Sequence, residues 1–445
     1  MKTIFAKFLY LALAIVGILV QGARAEDIDL YVSGNPSANA PNVLIYLDNS
    51  SNWSTASQNW SYCGVKANCG SDTACIGYAQ SIFGVPSDDS SYCGSKKTNN
   101  NDVSMAQGSV EAGALRVVLN ELVCQADKPL TVNVGLMVFQ PNGAPGGTPD
   151  SNGAVGSYIR HAVLPLVKGG SLCDPSGSTA TSLIADLNAI WSNINSPPFK
   201  APSSSGYAGG MFEAFKYYGG YTDPSRAINN SPSPLNDGQG TPIDAQHFGP
   251  ARYANLTGYE DPAAFTDGAQ STYASPITTS NSCGKNYVLL IGNGYPAPTA
   301  DSKTAAITNL NNYSPPTSGC CGTVVSDVWA QFLSTTDVSY VSGQQPVFTY
   351  TVNVSNAKPS SSQIALLKNM AIKGGTGVSG YYEVGGRLQD LINGFKDIFT
   401  SIAAVNSVFA SSSLPVSVNT QGTYVNQVFI GMFRPDSDAR ERWNG

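Results

Sequence analysis

Charged residues are scarce in this sequence of 445 residues: they make up 12% of it, about half of the ~25% that is typical of globular proteins. The formal net charge is −6, and no large basic patch stands out, so a nucleic-acid partner is not expected. The two histidines, His161 and His247, leave little material for a general base or a zinc centre.

Enzyme motifs are lacking as well. The sequence contains neither a G-x-S-x-G nucleophile elbow nor an H-E-x-x-H zinc motif. Paired carboxylates would suit a secreted hydrolase, but no spacing singles out such a pair. We therefore predict a protein that is not an enzyme, with a secreted hydrolase as the disfavoured alternative.

Long apolar runs are missing except at the amino terminus. Residues 8–20 are apolar, Lys2 and Lys7 precede them, and Ala23 and Ala25 supply small residues for cleavage, which is the pattern of a secretory signal peptide at residues 1–25. A retained anchor is the alternative, but the run is too short to cross a ~30 Å hydrocarbon core. We expect an exported chain, at the cell surface or outside the cell, with no transmembrane segment after cleavage.

The nine cysteines indicate disulfides in such an oxidising compartment. Four of them, between positions 63 and 93, lie among Gly, Ser, Asn and Asp, and we expect one or two local bridges there. Zinc is the disfavoured alternative, because no spacing is of the CxxC type. The odd count leaves one thiol free or shared with a partner. The adjacent Cys320 and Cys321 should bond different cysteines, because a bond between neighbours is strained.

Four apolar segments predict strands. Residues 43–47 and 287–291 are continuously apolar, as in strands buried on both faces of a parallel sheet. Residues 131–139 alternate in part, and residues 347–354 are rich in β-branched and aromatic side chains.

Apolar side chains at helical spacing lie between and after these strands. They occupy residues 114–122, 183–194, 325–332 and 388–402. Alternating strands and helices predict an α/β fold, a doubly wound and mostly parallel sheet with helices on both faces.

Two long segments interrupt this pattern. Residues 51–106 and 220–282 are rich in Pro, Gly, Ser and Asn and nearly featureless, so we predict surface insertions, the first of them bearing disulfides. After residue 407 a Ser-rich linker leads to an apolar segment at 428–433, which predicts the start of a β domain at the carboxyl terminus.

Three polar loops are expected at the carboxyl ends of the central strands, where such sheets bind ligands. Asp48, Ser50 and Asn52 alternate after the first strand, Ser205 precedes a predicted helix, and Asn293 follows the second central strand. Carboxylate, hydroxyl and amide oxygens are the ligands that Mg²⁺ and Ca²⁺ prefer. The alternative is that Asp48, Ser50 and Ser205 only cap helices and tie the loops together by hydrogen bonds.

This arrangement resembles the von Willebrand factor A domain, whose metal-ion-dependent adhesion site uses Asp-x-Ser-x-Ser, a distant Thr and a distant Asp. Asp48 and Ser50 match that pattern. Asn52 stands in place of the second Ser, Ser205 in place of the Thr and Asn293 in place of the distant Asp. The resemblance therefore implies a degenerate site that binds Mg²⁺ or Ca²⁺ weakly or not at all, because one ligand carboxylate is lost.

Further segments resemble the amino-terminal half of the PilY/PilC-type type IV pilus tip adhesins. They are residues 41–50 (PNVLIYLDNS), 211–221 (MFEAFKYYGGY), 275–277, 283–287, 379–382 and 428–433, with the closing WNG. In that family an A domain precedes a β-propeller. The resemblance implies an A-like domain at residues 26–407, with insertions at about 51–106 and 220–282. Residues 408–445 would be a linker and the first strand of a propeller-like domain that is missing, as in a truncated product.

The family resemblance also implies a function. The chain would be a pilus-associated adhesin or pilus-assembly protein that binds partners through the degenerate site. Its partners would be pilus subunits or minor pilins and a ligand on a host or abiotic surface. A structural module that primes pilus assembly without receptor binding is the alternative.

Among the aromatic residues of the first insertion are Trp53, Trp60, Tyr62 and Tyr92. They suit contact anchors, since aromatic side chains dominate interface energetics. They equally suit a small core beneath the bridges, and the sequence leaves both readings open.

Overall fold

The computed structural model describes residues 40–50, 53, 58–61, 83, 93–94, 102–139, 157–177, 182–192, 194, 206–221, 260–282, 284–296, 320, 324–339, 341–354, 360–384, 387–405, 409–411 and 431–433. The predicted signal peptide, Asn52, Ser205, Tyr62 and Tyr92 lie outside these residues, as does much of both predicted insertions.

The described strands and helices alternate along much of the chain. The strands are β1 (Asn42–Leu47), β2 (Gln58–Ser61), β3 (Cys93–Gly94), β4 (Asp102–Met105), β5 (Val132–Phe139), β6 (Ser157–Leu166), β7 (Asn286–Gly292), β8 (Val347–Asn353), β9 (Tyr381–Glu383), β10 (Phe409–Ser411) and β11 (Gly431–Phe433). The α-helices are α1 (Gln107–Leu119), α2 (Leu183–Ser192), α3 (Tyr207–Gly219), α4 (Ser326–Thr335), α5 (Ser361–Lys373) and α6 (Leu388–Val405).

The main sheet has six strands in the order β6-β5-β1-β7-β8-β9. Strand β6 pairs antiparallel at one edge, and the other strands pair in parallel. From β1 the chain builds outward through β5 and β6, and it later returns to the other side of β1 to build β7, β8 and β9. The predicted doubly wound α/β fold is confirmed, and the strand order reverses between β1 and β7. Ligands in such folds bind outside the carboxyl ends of the strands at this reversal.

Strand β1 is buried on both faces, which explains its continuous apolar run. Val43, Ile45 and Leu47 point into the core formed with α1, α2 and α6, whereas Leu44 and Tyr46 point into the core formed with α3, α4 and α5. Successive side chains of a strand face opposite sides of the sheet. Both sides must therefore be apolar where helices cover both faces.

An amide ladder fixes the register of the three central strands at their amino ends. Asn133 Nδ2 donates to Asn42 Oδ1 (2.8 Å), and Asn42 Nδ2 donates to Asn286 Oδ1 (2.9 Å). The three residues are aligned partners in the parallel pairing of β5, β1 and β7. With the amino ends locked, the carboxyl ends of these strands also come level.

The described part of the first insertion is not featureless. Strands β2, β4 and β3 form a small antiparallel sheet. Trp53 and Trp60 are buried in the core of α1, α2 and α6 together with Phe83. The two tryptophans therefore pack inside the protein and are not exposed contact anchors.

Residues 260–282 of the second insertion pack against the edge strand β6. The carboxylate of Asp261 accepts a hydrogen bond from Ala162 N (2.8 Å), and the adjacent Val163 N donates to Tyr217 Oη of α3 (2.7 Å). Side chains thus occupy donors that an open sheet edge would offer to another strand.

Disulfides and the carboxyl-terminal strands complete the described fold. Cys124, in a π-helical turn after α1, is bonded to Cys173, and Cys320 is also disulfide-bonded. Within the predicted apolar segment 428–433, β11 pairs antiparallel with β10; whether this pair begins a further β domain stays a prediction. Among the described residues, no helix has the length and apolar character needed to cross a membrane.

Candidate functional site

The loops after β1 and β7 meet where the strand order reverses. Asn293 N donates to Asp48 Oδ2 (3.2 Å), and Asn293 Nδ2 donates to the backbone oxygen of Asp48 (2.6 Å). Asp48 N in turn donates to Ile291 O (3.0 Å), which extends the pairing of the two strands by one bond. The fold therefore brings two of the predicted site residues into direct contact.

Ser50 and Asn49 tie the first loop to itself and to β5. Ser50 N donates to Asp48 Oδ1 at 3.0 Å, and Ser50 Oγ donates to the same oxygen. The amide of Asn49 pairs with the last residue of β5, accepting from Phe139 N (2.9 Å) and donating to Phe139 O (3.2 Å). Asp48 and Ser50 thus tie this loop together by hydrogen bonds.

The third loop reaches the same place through Tyr207, which the sequence analysis did not single out. Ser205 itself lies outside the described residues, but Tyr207 is the first residue of α3. Its Oη donates to Asp48 Oδ2 (2.8 Å) and lies 2.6 Å from Gly294 O. The signal available in the sequence was the position of Tyr207, two residues after Ser205 and at the start of a helix. That position alone does not predict a chemical role for the side chain.

The carboxylate of Asp48 is saturated by protein donors. Its Oδ1 accepts from the backbone and side chain of Ser50, and its Oδ2 accepts from Tyr207 and Asn293. An ionised carboxylate offers about four lone-pair sites. A cation bound to Asp48 would have to displace one of these donors, so the residues as arranged do not fit the cation of the resembled site.

The cluster is also closed to solvent. Asp48, Ser50, Asn293 and Tyr207 are each 3% exposed or less. Burial raises the pKa of Asp48, against the lowering effect of the hydrogen bonds from Ser50, Tyr207 and Asn293. Burial, reinforced by the nearby Asp48, also raises the pKa of Tyr207 well above its usual value. Both groups are thus held toward their neutral forms.

A second buried acid, Glu111 of α1, lies within electrostatic range of Asp48. Its Oε1 accepts from Gln107 Nε2 (2.9 Å), and none of the residues that the structure describes bonds to its Oε2. Burial raises the pKa of Glu111 well above its usual value; the Gln107 bond opposes this and the charge of Asp48 adds to it. The surroundings of Asp48 therefore disfavour further negative charge.

A buried ion cluster lies on the side of β6. Arg160 donates two bonds to Asp186 of α2, from Nε and from one terminal nitrogen (2.8 Å each), and His161 Nε2 lies 3.2 Å from the same carboxylate. Consecutive residues of a regular strand point to opposite faces. A bulge in the pairing of β6 with β5 re-aims them, so that both reach Asp186.

The arrangement of this ion cluster indicates a structural role. His161 and Asp186 are fully buried. Although burial alone would raise it, the bonds from His161 and Arg160 hold the pKa of Asp186 below its usual value. The adjoining cavity measures about 10 Å³, which is room for about one water molecule and not for an organic substrate.

Metal-ligating side chains do not gather elsewhere in the described part of the chain. Within it, no group of three or more His, Cys, Asp or Glu side chains is placed to hold a metal ion. No protein-family model matches the chain, and no curated protein matches it either.

Proposed function

We propose that this chain is an exported, non-enzymatic protein of the type IV pilus that acts in attachment or pilus assembly. Its partners would be pilus subunits or minor pilins and a surface ligand, bound through the loops around Asp48, Tyr207 and Asn293. The observation that carries the proposal is the contact between Asp48 and Asn293 at the reversal of strand order. This is the layout that the resemblance to a von Willebrand factor A domain implies.

Several features support a binding module over an enzyme. The described titratable side chains at the reversal, Asp48 and Tyr207, are bonded to protein atoms and closed to solvent. The buried His161 faces Asp186 and Arg160 with room for about one water molecule beside the cluster. Neither arrangement presents a nucleophile or base to a bound substrate.

The closed cluster favours one alternative function specifically. Because the candidate site residues are buried and bonded to one another, the module would prime pilus assembly as a mechanical element and make no receptor contact there. Deletion of the gene in its own organism, followed by complementation, separates the two functions. Pili that form normally but fail to attach would support the adhesin, and loss of pili would support the assembly role.

A point variant connects the phenotype to the loops. Asn293→Ala removes the bond to the backbone of Asp48 and should weaken attachment or assembly in the complemented strain. Asn369→Ala is the matched control, because its amide makes a bond within its own helix, to Ala365 O (2.9 Å). A deletion strain with normal pili and normal attachment would overturn the proposed function.

A further inference from the structure

We propose that the hydroxyl of Tyr207 takes the place of a cation in this cluster, so that protein hydrogen bonds alone join the three loops. This inference rests on the proposed function for its biological meaning, since the loops are the proposed partner-binding region. It implies that this region functions without a bound divalent cation.

The position of Tyr207 in the chain is the first argument. It follows Ser205 by two residues, so the loop expected to supply a hydroxyl ligand does reach Asp48, but with a phenol. That hydroxyl contacts both Asp48 after β1 and Gly294 after β7. A single group therefore links all three loops, which is the task of the cation in the resembled site.

The residues around Tyr207 leave space for its hydroxyl and fix the direction of that hydroxyl. A Cβ at Gly292, the last residue of β7, would lie 2.9 Å from Tyr207 Oη, so the absence of a side chain there leaves the hydroxyl its space. The ring of Tyr207 packs edge-on against Tyr46 and stacks with Phe139, each at a centroid distance of 6.4 Å. These two contacts hold the ring of Tyr207 from two sides and therefore fix the direction of its hydroxyl.

The charge of the cluster is the third argument. A hard cation gives up bound water only for several charged or polar oxygens. Here Asn293 stands where the resembled site has an acid, and its amide nitrogen faces the backbone of Asp48 as a donor. Asp48 accepts from four protein donors. A partner carboxylate would therefore find no cation to bind, and recognition must use other groups of the loops.

The first test uses the unmodified chain. Calorimetric titration with MnCl₂, MgCl₂ and CaCl₂ up to about 5 mM should give no binding heat. Hydrogen exchange of the Ser50 and Asn293 amides, both of which donate to Asp48, should be the same in EDTA and in MnCl₂. Binding of Mn²⁺ in the micromolar range, with slower exchange at these two amides, would overturn the proposal.

The second test compares two hydroxyls of α3. Tyr207→Phe should speed exchange of the Ser50 and Asn293 amides by about tenfold or more, as expected for loss of a bond to a charged or buried partner. Tyr218→Phe is the control, because its hydroxyl donates to Tyr287 O (2.8 Å) at the amino end of β7. Equal exchange in both variants at Ser50 and Asn293 would contradict the assigned role.

A third variant moves the hydroxyl without removing it. Gly292→Ala should push Tyr207 Oη away from Asp48 and speed exchange at the same two amides, while amides in the middle of β1 stay protected. If exchange at Ser50 and Asn293 stays at the wild-type rate, the hydroxyl does not hold the loops. These measurements use the isolated chain, so their outcome is independent of the deletion phenotype that tests the proposed function.

Discussion

Asp48 and Asn293 are 245 positions apart in the chain, and two hydrogen bonds join them at the reversal of the sheet. One of these bonds comes from the side-chain amide of Asn293, which donates to the backbone oxygen of Asp48 at 2.6 Å. A carboxylate at position 293 could not make that bond, because it has no hydrogen to donate. The amide therefore adds a bond between the two loops that a carboxylate at this position could not make.

Asn293→Asp should destabilise the protein although it brings back the acid of the resembled adhesion site. It removes the donated bond and places a second buried carboxyl beside Asp48, at a cost of about 2–4 kcal/mol near pH 7. Urea unfolding at pH 7 and pH 5 measures the change, and the loss should shrink at pH 5, where the new carboxyl takes up a proton more readily.

Asn369→Ala, which removes an intrahelical bond, is the comparison and should cost about 1 kcal/mol. An Asn293→Asp protein that is as stable as the wild type and is further stabilised by Mg²⁺ would indicate a working metal site.

The buried ion cluster should be costly to break. Asp186→Asn leaves Arg160 and His161 facing a neutral amide in the core, and we expect a loss of about 3–5 kcal/mol in the free energy of unfolding. Denaturant unfolding of the wild type and the variant measures it.

An exposed ion pair supplies the control. Glu121→Gln removes the partner of Lys396 (2.6 Å) where the two side chains are 54% and 29% exposed, and it should cost less than about 1 kcal/mol. Similar losses in the two variants would show that burial does not decide the strength of the Asp186 cluster.

The central strands could be predicted from the sequence because their burial on both faces requires continuous runs of apolar residues, and such runs are visible in the sequence. The continuous apolar runs of β1 and β7 have no polar alternation, which is typical of strands covered on both faces. Helix α5 was not predicted, since its buried apolar residues are few; Ser360, whose side chain accepts from Gln363 N (3.1 Å), was the available signal for its start.

The candidate site was predictable in place but not in chemistry. The positions of Asp48 and Asn293 followed from the strands before them. The role of Tyr207 depends on the space above Gly292, and the shared partner of Arg160 and His161 depends on a bulge in β6. Such three-dimensional contacts leave no periodic pattern in the sequence.

Gly210→Ala should destabilise the protein despite a better helix propensity. The propensity gain is about 1 kcal/mol, but the new Cβ would lie 2.1 Å from the Tyr46 hydroxyl, and overpacking of a core costs about 1–3 kcal/mol. Because α3 begins with Tyr207, its displacement should also weaken the bond to Asp48. Thermal unfolding measures the net loss.

Gly394→Ala in the middle of α6 is the matched control. Its Cβ would meet Tyr382 at 3.6 Å, an ordinary contact, so the substitution should be neutral or stabilise by up to about 1 kcal/mol. If both substitutions stabilise the protein, then the space between α3 and Tyr46 accommodates a Cβ at position 210, and the expected overpacking does not occur.

Glu111→Gln should make the protein more stable at neutral pH and change how its stability depends on pH. Burial raises the pKa of Glu111 well above its usual value, with Gln107 opposing and Asp48 adding to the rise, so the folded state holds a proton that the unfolded chain releases above about pH 4.3. The stabilisation that this proton gives the folded state is fully present below that pH. It is lost as the pH rises through the pKa that Glu111 has in the folded protein. The glutamine variant, which cannot ionise, escapes this loss.

The difference between variant and wild type should therefore be small at pH 4 and grow with pH by up to about 1.4 kcal/mol per unit until the folded pKa is passed. Urea unfolding from pH 4 to pH 8 measures it, with Glu383→Gln at an exposed position as the control. Parallel pH curves for wild type and Glu111→Gln would mean that Glu111 ionises in the folded protein as it does in the unfolded chain.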